Sequence, residues 1–150
     1  MKRIFLFTLA TAILLSACGT AREGIEVRDA WARSSTQGMN SAVYFVIENH
    51  NAQADELIGA ESDAAEAVEI HESKMEGDMM MMSHAEAVIL EPSTAVEFKP
   101  GGYHVMLIRL TRDFKADDEV EITLHFKSSP DLTLKVTVKD ADGMQNMNGY

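Results

Sequence analysis

The residues of this sequence with the clearest chemistry are crowded between His71 and Met106. The stretch reads His71-Glu72-Ser73-Lys74-Met75, then Asp78-Met79-Met80-Met81-Met82, and later Gly101-Gly102-Tyr103-His104-Val105-Met106. Ten residues separate His71 from Met82, twenty-one separate Met82 from His104, and one separates His104 from Met106. Thioether and imidazole donors together suit copper, and the soft sulfurs favour Cu(I), whereas zinc and the hard cations prefer other ligand sets. All of these donors are neutral when bound, so a monovalent ion enters with little charge to compensate. A set without thiolate also grips its metal less tightly, which suits a protein that gives the metal away.

Ordinary roles compete for the same residues. Methionine fills irregular gaps in cores, and a lone histidine on a strand is usually a polar surface residue. His50 and His125 are assigned to that surface role, and His84, beside the methionine run, stays open between the two. Four methionines in a row, however, specify a core poorly. Met75, Met79, Met80 and Met81, with Met144 and Met147 near the C-terminus, are further donors available to a soft metal.

The elements that must position these donors read as short strands. Side chains alternate across a strand, so His104 and Met106 project from one face while Tyr103, Val105 and Leu107 point the other way. In an extended methionine run, Met80 and Met82 share a face and Met79 and Met81 share the opposite one. Ile25–Arg33, Ser41–Glu48, Asp55–Ser62, Ala67–Glu72, Ala95–Lys99, Tyr103–Leu110, Glu119–Lys127 and Leu132–Lys139 all carry apolar alternation or β-branched and aromatic enrichment. Met79–Ser83 and Ala87–Leu90 read as a short hairpin, and Ser62–Ala67 as one helical turn. His71 is expected where its strand ends. About nine strands at regular intervals, with no helical period, mean an all-β antiparallel sandwich or barrel in a single domain.

The chain of 150 residues is long enough for one such core and too short for two. Its first seventeen residues stand apart. Lys2 and Arg3 precede an apolar run, Ile4 to Leu15, that is too short to span a bilayer and reads as a signal peptide. Leu15-Ser16-Ala17-Cys18 resembles a bacterial lipobox, which implies cleavage before Cys18 and a lipid on its sulfur. Residues 18–24 then form a tether, 25–139 the folded domain and 140–150 a polar tail. With the only cysteine lipidated, the domain offers no thiol for a disulfide, a nucleophile or a metal. The formal net charge is −11, and without Lys2 and Arg3 eleven basic residues stand against 24 acidic ones, a net of −13. Such a surface excludes nucleic acid as a partner, because phosphate neutralisation leads that binding.

The spacing His71-x10-Met82-x21-His104-x-Met106 resembles the signature of the periplasmic copper chaperone family known as PCuAC. Asp29-Ala30-Trp31-Ala32-Arg33, Ala42 to Phe45 through Asn49, Val68 to Glu72 and Lys99 to Leu107 resemble the family as well, so the likeness extends over about Ile25 to Val138. It implies a cupredoxin-like Greek-key β-barrel that binds one Cu(I) ion outside the cytoplasm, with His71, Met82, His104 and Met106 as ligands. It also implies delivery of copper to the binuclear copper centre of cytochrome c oxidase, through an oxidase subunit or an assembly factor. The alternative is a copper buffer or tolerance protein that uses the methionine-rich segment. A blue-copper electron carrier would need a thiolate ligand, and no nucleophile and base pair points to an enzyme.

Overall fold

The computed structural model describes residues 23–140. The signal peptide, Cys18, most of the tether, and the tail with Met144 and Met147 lie outside the described residues. Ten strands run in chain order: β1 (Ile25–Arg33), β2 (Ser41–Asn49), β3 (Asp55–Glu61), β4 (Ala65–Glu76), β5 (Met79–His84), β6 (Val88–Leu90), β7 (Thr94–Phe98), β8 (Tyr103–Leu110), β9 (Glu119–Phe126) and β10 (Leu132–Lys139). Their order across the sheet is β5-β4-β8-β7-β2-β1-β10-β9-β3-β6, with β8 also paired to the start of β2. Only β1–β10 and the single pairing of β7 with β8 are parallel. The sheet curls so that β3 packs near β4, closing the core. The architecture is the all-β sandwich or barrel that the strand pattern implies, and it is consistent with the cupredoxin-like Greek-key barrel that the family resemblance implies.

β9 and β10 alternate buried and open positions with period two, as strands with one face on the core must. β2 is buried along almost its whole length. Its Val43, Phe45 and Ile47 fill the interior, whereas Ala42 and Tyr44 lie under the outer surface where the candidate metal donors gather. Asn49 ends the strand fully buried, with Nδ2 donating to the carbonyls of Gln53 and Leu90 and Oδ1 accepting from the Asn51 amide. A buried amide with all these groups paired avoids the desolvation cost of burial. In β1 the register shifts between Arg28 and Trp31 at a bulge, where Asp29 takes φ 57°. The bulge re-aims Trp31 onto Tyr44, with ring centroids 4.6 Å apart.

Three local expectations are corrected. Ser62–Ala67 contains no helical turn: Asp63 and Ala64 form a tight turn and β4 starts at Ala65. The Ser62 hydroxyl accepts from the Ala64 amide and the Ala64 carbonyl accepts from the Thr111 amide, so a local side chain and the residue after β8 satisfy the backbone that a helix would have paired internally. Met79–Ser83 and Ala87–Leu90 do not form a hairpin together. β5 pairs with β4 through the Gly77-Asp78 turn, with Gly77 at φ 64°, and β6 crosses over to pair with β3. A glycine at positive φ in a two-residue connection is a strong hairpin former. Finally, β4 does not end at His71 but continues to Glu76, because that hairpin extends it.

Candidate metal centre

β4, β5 and β8 lie side by side, and their pairing sets the donors in rows on the outer face. His71 is opposite His84 on β5 and opposite His104 on β8, and the ring centroids are 5.9 Å apart in both pairs. One step toward the hairpin tip, Ser73 is opposite Met82. One step the other way, Glu69 is opposite Met106, which is opposite Ala42 on β2. Ile70, Val105 and Leu107 on the opposite face of the same strands are buried in the core. Strand alternation therefore separates the two tasks, with apolar residues holding the barrel and donors presented outside it.

Both imidazoles have a defined orientation. His104 is buried, and its Nδ1 donates to the Gly102 carbonyl at 3.1 Å, which leaves Nε2 with its lone pair free. The same carbonyl accepts the Ser73 amide at 3.0 Å, so one acceptor ties β4 to β8 and fixes the His104 tautomer. Burial, opposed by the Gly102 bond and aided by nearby His71, holds the His104 pKa below the ordinary value. The ring is thus kept neutral, the form in which it can coordinate. His71 places Nε2 2.7 Å from a Glu69 carboxylate oxygen, and its Nδ1 is buried with no hydrogen-bond partner. An unpaired buried nitrogen costs on the order of 1–3 kcal/mol. It is the orphan lone pair that a metal would satisfy, and the carboxylate behind a coordinating histidine is the usual supporting contact.

A cleft of about 310 Å³ opens beside these rings, and Met80, Met82, His104, Met106, Tyr44 and Ser73 are among its lining residues. His71 does not line the cleft and stands next to it in register. Met80 and Met82 share the face of His84, as alternation requires, whereas Met79 and Met81 oppose Glu76 and Lys74 on the reverse face. Met75, Met79, Met80, Met81 and Met82 are all solvent-exposed, so core-gap filling does not explain them. Glu72 also lies on the reverse face, where it ion-pairs with Lys74 at 2.8 Å. His50 bonds Glu26 at 2.9 Å just past the end of β2 opposite to the one that meets Met106, and His125 on β9 contacts Asp131 at 2.9 Å, across the sheet from the donor rows. Among the described residues no three His, Cys, Asp or Glu side chains converge as a metal cage, and methionine sulfur is the other donor type lining the cleft.

Sequence reasoning overlooked three contributors. Glu69 is readable from alternation, being two residues before His71 on the same face. Tyr44, whose ring lies 6.3 Å from His104, and Ser73, opposite Met82, depend on strand pairing, which no local pattern announces.

Comparison with known proteins places the chain among relatives. A family model described as LpqE-like matches residues 25–138. The chain is similar to Lxx21020 of Leifsonia xyli subsp. xyli, which carries a lipoprotein name, at 27% identity covering 94% of this chain and 93% of that one. Among solved structures it is similar to the copper-bound PCuAC domain from PmoF2, with TM-score 0.66 and 25% identity over 77% of this chain and 92% of that domain. The solution structure of CuI-DR1885 from Deinococcus radiodurans gives TM-score 0.57 and 24% identity over 82% and 83%, a likeness of fold.

Proposed function

The chain belongs to the LpqE-like family, of the PCuAC type, and from that premise we propose that it is an exported, non-enzymatic copper chaperone. It carries one Cu(I) ion as cargo, held by His71, Met82, His104 and Met106, and passes it to a copper-accepting protein. The observation that carries this reading is the pair of imidazoles on adjacent strands. Gly102 and Glu69 hold the protons of His104 and His71, the two remaining ring nitrogens are left without protein partners, and His104 lines a cleft that Met80, Met82 and Met106 also line. The copper-bound PmoF2 domain supports the choice of metal. Soft sulfur supports the monovalent state.

The acceptor we assign is the binuclear copper centre of cytochrome c oxidase, directly or through an assembly factor, on the family resemblance. We place the protein in the periplasm or at the cell surface, anchored by lipid on Cys18. The lipoprotein name of the Leifsonia relative supports that placement. In this layout residues 1–17 are removed, 18–24 tether the domain and 140–150 trail from it. The described end of the tether is tied down, since the Gly24 amide donates to Asn51 Oδ1 at 3.0 Å.

The test is a Cu(I) titration of the purified chain under reducing conditions against a competing chelator, beside the double variant His104→Ala, Met106→Ala. One tight ion lost in the variant supports the chaperone. Several weak ions indifferent to the variant would favour the buffering alternative, which the exposure of the surplus methionines makes physically reasonable. Absence of binding would remove the copper reading altogether.

A further inference from the structure

Of the exposed methionines on the hairpin, only Met75 and Met80 are directly opposed as a thioether pair. They sit one row beyond Ser73–Met82, at the open end of β4 and β5, with relative exposures of 60% and 59%. Directly opposed residues on antiparallel strands have Cβ atoms about 4.5–5.5 Å apart, and two unbranched side chains starting there can bring both sulfurs to one ion. Met79 and Met81 lack such a partner, because Glu76 and Lys74 stand opposite them. Met80 has a second connection, since it also lines the cleft with Met82, His104 and Met106.

We propose that Met75 and Met80 form a second, thioether-only site for a soft monovalent cation at the hairpin tip, through which Cu(I) enters the cleft. The inference rests on the cleft being the Cu(I) site. Transfer is ligand exchange alone: the Met75 sulfur releases the ion as Met82 binds it, while Met80 keeps hold across the step. No electron moves, and the ion remains monovalent throughout. Two thioethers without imidazole make a weaker site than the mixed set, so the ion moves toward the histidines.

The probe is Ag(I), which has the charge and softness of Cu(I) without its redox chemistry, observed through the methionine ε-methyl NMR signals of the purified chain. In the variant His104→Ala, Met106→Ala, Ag(I) is expected to shift the Met75 and Met80 methyls together. Adding Met75→Leu, which keeps the volume and removes the sulfur, abolishes the Met80 shift. In the otherwise unaltered chain, Met75→Leu leaves the equilibrium Cu(I) affinity of the cleft unchanged but slows loading from a Cu(I)–bicinchoninate complex several-fold. Met75 and Met80 methyls that ignore Ag(I) would overturn the tip site and leave the cleft reading standing. A loading rate identical in Met75→Leu would overturn the entry role. Failure of the cleft itself would show separately, as a tight ion that survives loss of His104 and Met106.

Discussion

Glu69 and His71 lie on one face of β4 with a carboxylate oxygen 2.7 Å from Nε2, so the acid orients the ring and leaves its other nitrogen buried without a hydrogen-bond partner. That hydrogen bond also holds the Glu69 pKa below the usual carboxylate value, keeping the acceptor ionised at neutral pH. Removing a carboxylate behind a coordinating histidine typically weakens metal binding by about 10–100-fold. Glu69→Ala is therefore expected to lower Cu(I) affinity by that factor in a chelator competition. Its unfolding midpoint should barely move, because the side chain is partly exposed. Unchanged affinity would mean that His71 needs no such support.

The two faces of β5 make opposite predictions. Met82→Leu should weaken Cu(I) binding, whereas Met79→Leu and Met81→Leu, whose side chains leave from the reverse face, should alter it by less than about twofold, as expected for uncoupled positions. X-ray absorption at the copper edge provides a second readout, with a sulfur ligand lost only in the first variant. Equal losses in all three would show that the run shifts register around the metal.

Ile70 separates stability from binding one residue away from His71. It is buried on the core face, so Ile70→Ala is expected to cost about 2–5 kcal/mol in urea unfolding. The variant that remains folded should retain its Cu(I) affinity, measured well below the unfolding transition. A large affinity loss would mean that core packing on this strand sets the geometry of the donors.

Asp55 ties the start of β3 to the β9–β10 turn. Its carboxylate accepts from the amides of Glu56, Ser128 and Ser129 at 2.8–2.9 Å. Burial alone would raise its pKa, but the Ser129 side chain and these three amides outweigh burial and hold the pKa below the usual carboxylate value. A depressed folded pKa contributes stability that is present above the unfolded value of about 3.9 and is lost as pH falls through the folded one. Asp55→Asn should thus cost about 1–3 kcal/mol at pH 7, with the gap to the unaltered chain narrowing below about pH 3.9. Urea unfolding at pH 7 and pH 3 gives the comparison.

Period-two alternation made the long strands readable, and Tyr103–Leu110 and Leu132–Lys139 begin and end where their patterns do. The shared face of His104 and Met106 followed from the same rule. Pairing partners were harder to read, because β5 and β6 are short and their apolar residues suit several neighbours equally well. Gly77 at positive φ decides that β5 folds back on β4. That single turn also brings Met82 and His84 beside His71. The orphan nitrogen of His71 and the shared Gly102 carbonyl arise from cross-strand register, which the sequence does not show residue by residue.

Among the described residues, the strand that carries Met80 and Met82 has a neighbour on one side only, whereas β8, with His104 and Met106, is enclosed by β4 on one side and β2 and β7 on the other. Resistance to local opening is uneven in such an arrangement, lowest at the sheet margin and highest in the middle. Fraying of β5 would withdraw the thioethers of that strand while the donors on β4 and β8 stay in place. For a metal ion held between these strands, release would require one marginal ladder to part and no loosening of the barrel.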